Sequence, residues 1–210
     1  MAKLSSIAEL RRTLPEPRPT TKAKILDALD EQSIDFLKRC PFALVGTTAA
    51  DGTIEVSPKG DEPGFIRVED PRTLLIPERA GNNLAFGLSN ILATGKIGII
   101  ALVPATGETL RISGTAEVLD DVELVKSLSS LGKPALLATR VHVKHCYFHC
   151  ARSIVRANLW KPEAWPAPGR VSFGKIIAPR IGAGEDVAAQ IDAGVAGAYN
   201  ERLWSNTPAS

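Results

Sequence analysis

Phe42-Ala43-Leu44-Val45-Gly46-Thr47-Thr48-Ala49-Ala50-Asp51-Gly52-Thr53-Ile54-Glu55-Val56-Ser57 is the stretch on which the fold turns. Its first seven residues are apolar and β-prone, Asp51-Gly52 is a two-residue turn signal, and the residues that follow alternate. Strands joined this tightly are antiparallel, because a parallel pair needs a crossover of about a dozen residues or more. The stretch therefore argues for an antiparallel sheet and against a parallel βαβ architecture.

The same texture continues downstream. Strands are expected at 65–68 and 73–76, joined by the turn-like Glu69-Asp70-Pro71-Arg72, and again at 96–103, 109–119 and 141–150. Between and after them, helices are expected at 82–94, with Leu84, Leu88, Ile91 and Leu92 on one face, at 122–131 behind Asp120 or Asp121, and at 151–160. Six or seven strands separated by short turns and brief helices indicate a mainly β protein, a closed or nearly closed barrel with peripheral helices.

Upstream, a short helix at 5–14 leads into a proline-rich connector (Pro15, Pro17, Pro19) that reads as an extended spacer. A helix over 22–38 follows, capped by Thr20 or Thr21, with Ile25, Leu26, Leu29, Ile34 and Leu37 at roughly helical spacing. Beyond 160 the chain is rich in proline and glycine and recovers in one helix at 185–204. The organisation expected is an N-terminal arm (1–24), a barrel domain (25–166) and a C-terminal extension with one helix (167–210).

Bulk properties narrow the function classes. The 210 residues suffice for one well-buried domain with extensions, and 44% hydrophobic and 23% charged residues are ordinary for a soluble chain. A net charge of +2 gives no reason to expect nucleic acid as a partner. The longest apolar run, 97–103, is too short to cross a bilayer, and the first ten residues lack an apolar signal core, so no membrane association is expected. Cys40, Cys146 and Cys150 are too few, and odd in number, for a disulfide framework, and they read as thiols in a reducing cytoplasm.

Three segments carry candidate chemistry: Val56-Ser57-Pro58-Lys59-Gly60-Asp61, then Leu74-Leu75-Ile76-Pro77-Glu78-Arg79-Ala80-Gly81-Asn82-Asn83, then Gly107-Glu108-Thr109-Leu110-Arg111-Ile112-Ser113-Gly114. A phosphate-bearing cofactor needs fixed positive charge and free backbone donors. Arg79 can fork onto a phosphate, Asn82 or Asn83 can cap a helix whose first N–H groups favour an anion, and Gly81 admits close backbone approach. Lys59 and Arg111 can add charge from neighbouring strands. From the residues alone, an anion site and a plain helix cap are both open.

The ordered set of these segments, together with Gly64-Phe65, Asn90-Ile91-Leu92, Val103-Pro104, Phe148-His149-Cys150-Ala151, Leu159-Trp160 and Pro162-Glu163-Ala164-Trp165-Pro166, resembles the FMN-dependent members of the pyridoxamine 5′-phosphate oxidase-like superfamily. The resemblance covers about residues 25–166. It implies a six-stranded antiparallel FMN-binding split barrel that forms a homodimer with FMN at the subunit interface. It further implies an oxidoreductase acting on a small organic substrate, or alternatively a non-catalytic flavin, haem or F420 binding protein. Carried over by position, the cofactor-binding residues are Ser57, Lys59, Ile76, Pro77, Arg79, Asn82 and Asn83, with Arg111 beside them. The flavin ring itself does the chemistry, so no catalytic side chain is implied. Better-known oxidases carry Ser-Arg-Lys where this chain has Gly81-Asn82-Asn83, and their C-terminal Arg-Leu-His motif has no counterpart in 161–180, so vitamin B6 oxidation is not expected.

A metal site is not expected. All three histidines and two cysteines fall within 142–150, but strand alternation would put His145 and His149 on one face and His142, Cys146 and Cys150 on the other. Gly182-Ala183-Gly184 lacks the third glycine and the following βαβ unit of a dinucleotide loop.

Overall fold

In the computed structural model of the chain, which describes residues 3–200 and Leu203, the Asp51-Gly52 turn joins β1 (Phe42–Thr48) to β2 (Ile54–Gly60). The pair is antiparallel, with Val45 opposite Ser57. The Asp51 carboxylate accepts the Thr53 N–H at 2.9 Å, and Gly52 takes the left-handed φ of 90° that the turn requires. Alternation then sorts the side chains. Ala43, Val45 and Thr47 of β1 are buried, while Glu55, Ser57 and Lys59 share the half-buried face of β2.

A second hairpin joins β3 (Arg67–Asp70) to β4 (Thr73–Glu78). β5 (Lys96–Leu102), β6 (Thr109–Leu119) and β7 (Leu137–His149) complete the sheet, whose spatial order is β2-β1-β5-β6-β7-β4-β3 with every neighbouring pair antiparallel. This corrects the six-stranded split barrel that the resemblance implied. Seven strands pair among the described residues, and the sheet ends in two edges, β2 and β3, that do not pair with each other. Neither edge offers a ladder to close on: Pro58 removes an N–H from β2, and β3 is four residues long with an irregularity between Val68 and Asp70.

The main core is Leu37 of the preceding helix with Leu74, Ile76, Leu110, Ile112, Val141 and Cys146 from the sheet, and a smaller cluster of Leu75, Leu128, Ala135 and Ala138 lies on the other side of β4. β4 is thus buried on both faces. Burial raises the Cys40 and Cys146 thiols above their ordinary pKa, whereas Cys150 is exposed.

β6 and β7 share a long ladder broken by one bulge. Ser113 faces His145 but Gly114 faces Val143, which leaves Lys144 as the extra residue. The bulge switches the inward parity of β7, from Val141 and Val143 before it to Cys146 after it. His142 and Cys146, expected on one face, therefore lie on opposite faces, with His142 exposed and Cys146 buried. Gly114 is the clearance this crossing needs, since a Cβ there would stand 2.0 Å from the His142 carbonyl oxygen.

The N-terminal helices are shorter than expected: α1 (Ile7–Thr13), α2 (Pro19–Lys22) and α3 (Glu31–Lys38). The single helix over 22–38 does not form because the sheet captures its middle. Leu26 exchanges two backbone hydrogen bonds with Cys146, at 2.9 and 2.8 Å, and the Leu29 N–H donates to the Pro71 carbonyl at 2.8 Å. Asp30 restarts the helix by accepting the Ser33 N–H at 2.8 Å; the Ser33 hydroxyl, with this N–H, holds its carboxyl below the ordinary aspartate value.

The remaining helices are α4 (Phe86–Thr94), α5 (Val122–Ser127), α6 (Arg152–Arg156), α7 (Phe173–Ile177) and α8 (Glu185–Asn200). Of the expected helix to Trp204, positions 201, 202 and 204 lie outside the described residues. α7 had no clear sequence signal. It crosses α8 at backbone contact, where a Cβ on Gly174 would meet the Ala188 carbonyl oxygen at 1.9 Å. Asp192 of α8 accepts the Gly174 N–H at 2.9 Å and the Ser172 hydroxyl. Among the described residues no helix is long and apolar enough to cross a membrane.

Two outcomes follow from this packing. Gly114→Ala is expected to lower stability by about 1–3 kcal/mol, the usual range for overpacking, as read by denaturant unfolding. The Gly174 and Ser172 donors hold the Asp192 carboxyl below its ordinary value. A depressed carboxylate contributes stability above its unfolded-state pKa and loses it as pH falls through the folded-state value. The α7–α8 pair should therefore become protease-sensitive in the acid range in which aspartates protonate, and Asp192→Asn should bring that sensitivity to neutral pH.

Candidate functional site

A cavity of about 780 Å³ lies between β2, the end of β4, the loop 79–85 and the first turn of α4, with Leu136 and Leu137 on its far side. Period-two alternation on β2 presents Ser57 and Lys59 to it together. The end of β4 contributes Pro77 and Glu78, and Arg79 follows at the start of the loop.

The loop into α4 is shaped by two non-glycine residues in the left-handed region, Asn83 (φ 58°) and Ala85 (φ 52°). Asparagine tolerates that conformation; alanine adopts it at a cost of about 1–2 kcal/mol. The Asn82 side chain accepts the Leu84 N–H at 3.1 Å, turning the chain back before the helix begins. The helix consequently starts at Phe86, and neither Asn82 nor Asn83 caps it, contrary to the sequence reading. Its N-cap position is Ala85, which has no side chain to accept a hydrogen bond. The first-turn residues Phe86, Gly87 and Leu88 line the cavity, so the positive end of α4 faces it.

Arg79 and Lys59 are already matched to acids. Arg79 donates from Nε to Asp61 at 2.7 Å, from Nη2 to the Leu128 carbonyl at 2.7 Å and from Nη1 to the Lys133 carbonyl at 3.3 Å. All three nitrogens are used, and the Asp61 side chain is only 1% exposed. Arg79 is thus a clamp between the end of β2, the end of β4 and the turn after α5. Lys59 pairs with Glu78, whose other oxygen accepts the Thr139 hydroxyl at 2.9 Å. Glu78 and Thr139 are both buried.

Six of the eight expected binding residues therefore meet at this cavity: Ser57, Lys59, Pro77, Arg79, Asn82 and Asn83. Ile76 and Arg111 do not. Ile76 faces the core, 1% exposed. Arg111 sits between the buried Leu110 and Ile112 and so turns to the other face of β6, where it donates to the Tyr147 hydroxyl at 3.3 Å. Sequence reasoning missed Asp61, Glu78 and Thr139. The first two stood one or two positions from Arg79 or Lys59 in the quoted segments, and an acid beside each base was the available signal. Among the described residues, no three His, Cys, Asp or Glu side chains gather as a metal site.

Residues 29–150 match the sequence profile of pyridoxamine 5′-phosphate oxidase. The chain belongs to that oxidase family. No curated protein sequence matches it. Among solved structures it is similar to HupZ of Group A Streptococcus (20% identity, TM-score 0.45, covering 57% of this chain and 93% of that one). It is also similar to a pyridoxinephosphate oxidase family protein from Clostridium acetobutylicum related to general stress protein 26 of B. subtilis (14%, TM-score 0.44, 58% and 91%). A third is the FAD binding protein from Mycobacterium smegmatis (17%, TM-score 0.40, 59% and 97%). The family match takes in all of β1 to β7 and every residue lining the cavity.

The clamp has a measurable consequence for this family member. Arg79→Ala leaves the Asp61 carboxylate enclosed without its cation, which is expected to cost about 3–5 kcal/mol in denaturant unfolding. Asp61→Asn in the same background should recover part of that loss.

Proposed function

We propose that the protein is an FMN-dependent oxidoreductase acting on a small organic substrate, working as a homodimer with the flavin at the subunit interface. One observation carries the reading: in a chain of this family, the cavity collects the donors a terminal phosphate needs at the loop entering α4. The uncapped first turn of α4 supplies backbone N–H groups and the positive end of the helix dipole. Ser57 and the exposed Asn82 and Asn83 supply neutral donors, and Lys59 supplies charge. The volume falls within the range of about 300–1,000 Å³ usual for cofactor and ligand pockets. These residues fit a phosphate-bearing flavin.

In this reading FMN, when bound, supplies the acceptance and release of a hydride or electron pair. The chain's own residues bind, orient and exclude water. Lys59, Ser57 and the 82–88 segment hold the phosphate end. Arg79 keeps the walls in place through Asp61 and the 128–133 turn, and its remaining N–H groups add to the donors at the phosphate end. Ile76 supports the strand from the core side. Val56, Leu84, Phe86 and Leu136 stand exposed around the cavity, an apolar collar suited to cover by the second subunit.

Haem is disfavoured among the alternatives, because none of the described cavity residues is a Cys, His, Met or Tyr that could serve as axial ligand. We further propose the division into arm (1–24), barrel domain (25–166) and extension (167–210), the cavity belonging to the middle unit.

The test is an absorption spectrum of the purified protein before and after adding excess FMN and removing the unbound fraction. Retained flavin bands that a reduced nicotinamide donor bleaches and oxygen restores are the expected result. A protein that discards FMN would sink the flavin reading, and a retained flavin that no donor reduces would make it a carrier.

A further inference from the structure

We propose that Glu78 is a specificity-determining residue of the cavity: by holding the Lys59 ammonium it leaves the site without net positive charge and weakens its discrimination between phosphorylated and unphosphorylated flavins. This rests on the flavin reading above.

The charge inventory leads to it. The ionisable residues lining the cavity are Glu55, Lys59, Glu78 and Arg79. The Arg79 charge is cancelled by Asp61, and three of its five N–H groups are held by Asp61 and two backbone carbonyls. Lys59 is the cation not locked to backbone carbonyls, and its side chain is 24% exposed against 7% for Glu78. An ammonium carries three N–H groups, so the one bond to Glu78 leaves donors for a ligand in the cavity. What the ligand meets is an ammonium already paired to a carboxylate. A phosphate reaching Lys59 gains its attraction and suffers the repulsion of Glu78 a few ångströms further on.

Glu78 cannot swing out of the way. It lies on β4, which is buried on both faces, its backbone is paired with Leu137, and its second oxygen is engaged by the Thr139 hydroxyl within the sheet. Solvent access is small, so the carboxylate's field is screened less than that of a surface acid. The neutral Gly81-Asn82-Asn83 segment adds no compensating cation. Riboflavin lacks the phosphate and so brings no charge of its own to this pair.

The experiment is a fluorescence titration of FMN and riboflavin on the full chain, with protection by inorganic phosphate in thermal unfolding measured in parallel. Glu78→Gln retains an acceptor for Thr139 and removes the charge. It is expected to raise FMN affinity relative to riboflavin by at least about tenfold, given a like charge removed from a partly buried site, and to increase protection by inorganic phosphate. Lys59→Gln should reduce the ratio, and the Lys59→Gln, Glu78→Gln double variant should return it towards the wild-type value. The comparison of those two reads the repulsion from Glu78 even where Glu78→Gln alone is poorly folded. An unchanged or reduced ratio in Glu78→Gln, or a double variant no better than Lys59→Gln, would overturn the role of Glu78. Loss of both flavins in every protein, with phosphate protection still raised by Glu78→Gln, would overturn the flavin reading and leave the charge argument standing.

Discussion

A charge removed from water has to be matched, and around this cavity that constraint decides the geometry. Asp61 is almost fully enclosed and is answered by Arg79; Glu78 is buried and is answered by Lys59 and Thr139. The two pairs connect four pieces of chain that are distant in sequence: the end of β2, the end of β4, the turn after α5 and the start of β7. Without the first pair, the satellite cluster of Leu75, Leu128, Ala135 and Ala138 would lose the clamp that fastens its loop to the sheet. The cavity wall is thus part of the fold's electrostatics and not a surface feature added to it.

The backbone imposes the second constraint. Gly114 and Gly174 both sit where another strand or helix passes too close for a side chain. At Gly114 the closeness accompanies a bulge that changes which residues of β7 face inward. One extra residue in a ladder can therefore relocate a histidine from the face alternation assigns it to the opposite one. The Leu26 bridge to Cys146 lies just beyond that bulge, where β7 has run past the end of β4 and needs a new neighbour.

These constraints also mark where the sequence was legible. The β1–β2 hairpin followed from Asp51-Gly52 and alternation, which are local, and the seven segments that read as strands are the seven that pair. The number six came from the family resemblance and gave way to the edge hairpin with β3. The helix over 22–38 failed because its periodicity was real but its middle had a better use as a partner for the sheet, a choice made 120 residues away. The start of α4 was misplaced because Asn82 was read as a cap, whereas its side chain closes a turn on Leu84. At the site, alternation was enough to bring Ser57 and Lys59 together. It could not show that Arg79 faces Asp61, since ion pairing between strands depends on register and depth.

The resulting site differs in kind from one built on a cluster of basic side chains. Such a cluster binds phosphate by net charge, and its affinity falls with salt and rises with every added cation. Here the cations are compensated, and on the proposed reading orientation falls to dipoles: the uncapped turn of α4, the amides of Asn82 and Asn83, and the Ser57 hydroxyl. Dipoles held by the backbone keep their direction without needing a net charge, and the strained Ala85 is part of how that direction is set. On the proposed reading, a neutral Gly-Asn-Asn segment with a buried acid on β4 alters the grip on an anion without altering the sheet that carries it.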